Sequence, residues 1–176
     1  MNWMRKRAGM ITGKWTRMIG LAGAAMLAAC STQAASEAQT APVLAESAVH
    51  PESGLEVIPL TVTTQGGEEH SFRVEVAATA QEQQRGLMFR TAMGADEGMI
   101  FPFTQPRMAS FWMRNTVIPL DIIFIGPDGR IVNIAADTTP YSEESVRSVD
   151  IAGAVLELNA GRSAELGIAA GDMVEW

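Results

Sequence analysis

Three carboxylates lie on or beside stretches that read as strands, and a pair of them is the smallest set of groups in this chain able to run acid–base chemistry. Asp121 follows Leu120 within an apolar run, Glu157 interrupts Ala154-Val155-Leu156-Glu157-Leu158, and Asp172 follows Gly171. Two such groups flanking a glycosidic bond could serve as acid and base in hydrolysis of a glycan. The structural alternative is that each forms an Arg–carboxylate pair, with Arg114 a partner for Asp121. A second chemistry belongs to Met88, Met93, Met99, Met108 and Met113, since converging thioethers bind Cu(I); no MxxM spacing supports it, and Met is an ordinary core filler.

Other chemistries are excluded by what is missing. A Ser-His-Asp arrangement needs an imidazole, and the only histidines are His50, in a polar stretch, and His70, beside a turn; both are expected to be exposed. No GxSxG elbow occurs. Zinc or non-haem iron would need His or Cys ligands that are not there, and no cofactor is expected. Arg85, Arg90, Trp112, Arg114, Asn115 and Asp121 are the candidates for binding a ligand, because Trp stacks on sugar or apolar faces and Arg clamps carboxylates.

The elements that must position these residues are mostly strands. Leu55 to Thr64 and Glu69 to Ala77 flank Gly66-Gly67 as a hairpin. Thr79 and Glu82 form a capping box opening a short helix expected to end near Arg90. Gly98 to Phe103 and Met108 to Met113 read as strands, with Pro102 confined to an edge or bulge. In the second of these, Phe111 and Met113 share one face and Trp112 takes the other. Leu120 to Ile125 and Arg130 to Ala136 flank the Pro127-Asp128-Gly129 turn. Ala154 to Leu158 is a strand, Ser163 to Gly167 one helical turn, and Asp172 to Trp176 the last strand. The sum is an α+β domain, predominantly β, with a mostly antiparallel curved sheet or small barrel and two short helices.

The leader carries a different message. Five basic residues precede twelve apolar or small ones, Met18 to Ala29, the pattern of an export signal and too short to span a bilayer, which needs roughly 20. Leu27-Ala28-Ala29-Cys30 then matches the lipobox of bacterial lipoproteins. That resemblance implies cleavage before Cys30 and acylation of its sulfur, with membrane lipid as the partner of the acyl chains. Residues 1–29 are therefore read as a lipoprotein signal, 30–54 as a flexible tether and 55–176 as one domain. The tether reaches roughly 25–30 Å from the bilayer. Ser31 resembles the outer-membrane sorting pattern, so the protein is expected to be exported, periplasm-facing and anchored to the outer rather than the inner membrane.

Losing the leader's five basic residues from thirteen leaves eight against twenty acidic ones, a net charge of −12. That argues against nucleic acid as a partner. Acylation of the sole cysteine also removes thiol chemistry.

The central block Phe111-Trp112-Met113-Arg114-Asn115-Thr116-Val117-Ile118-Pro119-Leu120-Asp121-Ile122-Ile123-Phe124 joins four others: Arg85 to Arg90, Gly98 to Phe103, Val155 to Gly161 and Gly167 to Asp172. In this order they resemble the family catalogued as domain of unknown function 192. The resemblance implies a small β-rich domain of bacteria and archaea, usually behind a signal or anchor, with no established activity. Arg114 stands where many relatives carry Lys, and Tyr141 to Ile151 match poorly. The favoured expectation is a noncatalytic cell-envelope module that binds a ligand or protein partner, with the glycan hydrolase and Cu(I) readings as alternatives.

Overall fold

The expected hairpin forms: β2 (Glu56–Thr63) pairs antiparallel with β3 (Glu69–Val76) around the Gly66-Gly67 turn. The computed structural model describes residues 48–176, so the signal, Cys30 and most of the expected tether lie outside the described residues. The end of that tether does not behave as one. β1 (Ala48–Val49) pairs with β2, and a turn closed by Gly54 N–H donating to the His50 carbonyl continues into β2. Backbone pairing thus draws the domain's start back before Leu55.

The capping box forms as expected and opens α1 (Ala80–Arg85): Thr79 Oγ1 accepts from Glu82 N–H, and the Glu82 carboxylate accepts from Thr79 N–H. The helix stops at Arg85, not near Arg90, because Gly86 takes φ 48°, ψ −139°, which turns the chain out of the helix. β4 (Glu97–Arg107) follows, then β5 (Ser110–Phe111), β6 (Leu120–Ile125), β7 (Ile131–Thr138), β8 (Val146–Arg147), β9 (Ala152–Asn159), α2 (Arg162–Glu165) and β10 (Met173–Glu175). The expected strand from Met108 to Met113 shrinks to β5. Ser148 Oγ and the Ser142 carbonyl take the Ala109 and Met113 N–H groups instead, folding the segment across the sheet.

The main sheet runs β1-β2-β3-β4-β9-β6-β7, with β10 added to β2, and β5–β8 form a separate ribbon. Only β3–β4 is parallel; the rest is antiparallel. The sheet is not closed into the small barrel that was the other expectation. Pro102 falls where the β4–β9 register breaks, as a residue without an N–H must.

Both faces of the sheet are buried. One packs Val74, Ile100, Ile123, Leu156 and Leu158 beneath β10 and Ile168. The other packs Met99, Phe101, Ile122, Phe124 and Val155 beneath Leu87, Ala109 and Met113. Strands buried on both sides read as near-continuous apolar runs, which accounts for LDIIFI. It also means that a polar residue on β4, β9 or β6 meets a core on either face.

Candidate ligand-binding cleft

Glu157 is such a residue. Its register partners are Met99 on β4 and Ile122 on β6, which places it on the face that also carries Phe101. Gly98 makes this packing possible: a Cβ there would lie 2.6 Å from the Glu157 carbonyl oxygen.

Above this floor stand two walls. One is α1 with the turn after it, fastened by Gln83 Nε2, which donates to the Ala77 and Pro102 carbonyls at 3.1 and 2.8 Å. Gly86 packs edge-on against Phe101, where a Cβ would come within 3.4 Å of the ring, and Leu87 is buried behind it. The other wall is the end of β4, with Phe103 and Arg107, and the segment that crosses the sheet after it, with Phe111, Trp112 and Thr116. The walls are joined where Phe89 N–H donates to the Asn115 carbonyl and Asn115 Nδ2 lies 3.8 Å from Met88 Sδ. Asn115 has φ 57°, in the left-handed region, as its place in a tight connection requires.

The cleft between the walls has a volume of about 340 Å³. Its aromatic lining is locked edge to face: Phe111 meets Phe101 at 5.1 Å and Phe124 at 6.2 Å between centroids. Trp112 is 43% exposed, and the Arg114 guanidinium sits 5.5 Å from its ring centroid. Arg107 stacks over Phe103 at 4.3 Å. Arg85 reaches the cleft, the shallower basin that holds Arg114 and Asn115, and a groove on the far side of α1.

Glu157 is the one carboxylate lining this cleft. It is 5% exposed, and no protein group among the described residues hydrogen-bonds its side chain. Burial alone raises its pKa from 4.5 to about 8, so at neutral pH it stands as a carboxylic acid.

The other candidate carboxylates are occupied. Asp121 pairs in register with Leu158, on the opposite face from Glu157. Its Oδ1 accepts from Asp137 and Gly161 N–H, and its Oδ2 from Ser163 N–H at the start of α2. The expected Arg114 partner is elsewhere, exposed and 3.9 Å from Glu143. Asp172 accepts from Gln65 and Ala169 N–H at 2.9 and 2.7 Å. No acid–base pair therefore assembles from Asp121, Glu157 and Asp172.

Arg90 is also structural. It holds Glu75 through Nη1 and Nη2 at 2.8 and 3.1 Å and takes Glu52 on Nε at 3.2 Å. His50, expected to be exposed, joins this cluster 3.7 Å from Glu75, and Ser53 Oγ donates to the same carboxylate. His70 is half-buried. The methionines scatter: Met99 and Met113 are core, Met93 packs against it, and Met108 is 56% exposed, leaving Met88 alone in the cleft wall. Among the described residues no three His, Cys, Asp or Glu side chains group to hold a metal ion.

Of the expected ligand-binding set, the structure thus gathers Arg85, Trp112, Arg114 and Asn115 around the cleft and its adjoining basin and leaves Arg90 and Asp121 out. It adds Phe101, Phe103, Arg107 and Phe111. Their sequence signal was the aromatic spacing of FPF and FW, which as easily marks a core.

Fold and site together define a β-rich α+β domain with an aromatic cleft over a buried acid. The chain belongs to the family DUF192, described as an uncharacterized ACR, whose model matches residues 61–176. A crystal structure of a protein of unknown function from Novosphingobium aromaticivorans DSM 12444 shares 57% identity, covering 73% of this chain and 91% of that one, with a TM-score of 0.71. Another, from Sinorhizobium meliloti 1021 and described as a candidate transcription regulator, shares 38% identity over 69% of this chain and 94% of that one, with a TM-score of 0.68. No curated protein matches.

Proposed function

We propose that this protein is an exported, lipid-anchored module of the cell envelope that binds a ligand in the Glu157 cleft and performs no chemistry on it. One observation carries the binding reading: a carboxyl only 5% exposed, with no hydrogen-bond partner among the described residues, opens into a cleft with aromatic walls. A ligand hydroxyl entering the cleft could pair with this carboxyl in place of water, a bond that leucine could not offer.

The noncatalytic reading rests on the same geometry. Glycan hydrolysis with two carboxylates needs a second acid within reach, and Asp121 points to the other face while Glu75 is held by Arg90. The anchor reading rests on the lipobox at Cys30, and the acidic balance of the chain favours a ligand other than nucleic acid.

Two experiments test the proposal. Labelled palmitate should enter the wild-type protein in cells and not the Cys30→Ala variant; equal labelling, or none, defeats the anchor. Calorimetry of the full chain in detergent against a soluble peptidoglycan digest should give a saturable heat that Trp112→Ala removes, with the digest chemically unchanged. Absence of any heat, or new cleavage products, contradicts the module.

A further inference from the structure

We infer that the cleft takes a sugar ring bearing a carboxylate, stacked on Trp112, clamped at the mouth by Arg85 and Arg107, and hydrogen-bonded at the floor by Glu157. The inference rests on the cleft being a ligand site and names what it would hold.

The floor decides first. The Glu157 carboxyl is 5% exposed at the cleft floor and has no hydrogen-bond partner among the described residues, so the occupant that fits it best brings a group that both donates and accepts hydrogen bonds. A hydroxyl does so, whereas a purely hydrocarbon ligand leaves the acid unpaired. An amine would need Glu157 ionised, and the two arginines at the mouth would repel it.

The mouth decides next. Arg85 and Arg107 line the cleft, and neither forms an ion pair among the described residues. Arg107 is held over the Phe103 ring at 4.3 Å, so its guanidinium edge stays free to receive an anion. A planar fork of N–H donors matches a carboxylate. The wall then sets the shape, because the half-exposed Trp112 indole offers a flat face for the C–H side of a ring. At about 340 Å³ the cleft lies at the small end of small-molecule sites, which suits the end of a saccharide. Glucuronic acid and N-acetylmuramic acid both carry the hydroxyls, ring and carboxylate required.

The test uses matched sugars with the full chain in detergent, read by calorimetry: glucuronic acid against glucose, and N-acetylmuramic acid against N-acetylglucosamine. Each acid should bind about tenfold or more tighter than its neutral partner, a difference worth about 1.4 kcal/mol, and Arg85→Ala should erase that preference. Glu157→Leu should weaken binding about tenfold while its melting temperature does not fall. Glu157→Gln, which restores a donor, should recover binding and abolish the loss that wild type shows above pH 8. Equal affinity for acid and neutral sugar, or binding lost in Glu157→Gln and tightening with pH in wild type, overturns the inference. Heat from the peptidoglycan digest without heat from any of these sugars overturns the ligand class alone; no heat from either also removes the ligand site beneath it.

Discussion

Glu75 and Glu157 stand in one row on one face of the sheet, with Met99 between them. Two strand spacings separate them, roughly 10 Å, and both are buried, at 3% and 5% exposure. Their surroundings are opposite. Glu75 receives Arg90 through both guanidinium nitrogens, with Ser53 and His50 beside it. Among the described residues Glu157 receives no side-chain hydrogen bond, and it faces a cleft. The first glutamate fastens the start of the domain onto β3; the second leaves its bonding capacity to something from outside. Burial of a carboxyl is therefore no guide to its role until its partners are counted.

The largest effect should come from breaking the satisfied end. Arg90→Ala leaves Glu75 buried and uncompensated and should destabilise the domain by about 3–5 kcal/mol in urea unfolding; a loss below about 1 kcal/mol would erase the contrast. Asp121→Ala strips the acceptor from three backbone N–H groups and should cost about 3 kcal/mol with ligand affinity unchanged.

The bare end should show itself through pH. The Glu157 pKa is about 8 in the folded protein and 4.5 without burial, so the folded state binds more protons between these values. Its contribution to stability is fully present below pH 4.5 and is lost as pH rises through 8. Between pH 5 and 7 this amounts to roughly 2–3 kcal/mol, and Glu157→Gln should flatten that part of the profile. An unchanged slope in the variant would place the proton elsewhere. The smallest effect sharpens the comparison: Thr79→Ala removes the α1 cap and should cost about 1 kcal/mol, loosening a cleft wall while the Glu157 slope persists.

Local signals were legible in the chain. The Gly66-Gly67 hairpin, the Thr79–Glu82 box and the strands on either side of Pro127-Asp128-Gly129 each follow from neighbouring residues and form where expected. What escaped depends on distant partners. The pairing of Ala48 with Val57 and of Phe111 with Val146 has no marker in either short segment. His50 acquires its place only when Glu75 and Arg90 arrive from other elements.

Glu157 was half legible. In AVLEL it alternates with leucines, a pattern that would put it in water on a half-buried strand. GMIFPF and LDIIFI, which flank this strand in the sheet, are too continuously apolar to have a wet face, and that is the signal that β9 is covered on both sides. Asp121 shows the converse, because nothing local reveals that Gly161 and Ser163 will return to satisfy it.

The central claim is that Glu157, without a hydrogen-bond partner among the described residues, is an acid kept protonated by burial at the floor of the cleft. Carbon-13 NMR of the Glu157 side-chain carboxyl, assigned by comparison with Glu157→Gln and followed from pH 4 to 10, measures this directly. The expected titration midpoint is about 8; a midpoint near 4.5, the ordinary value for glutamate, would contradict it.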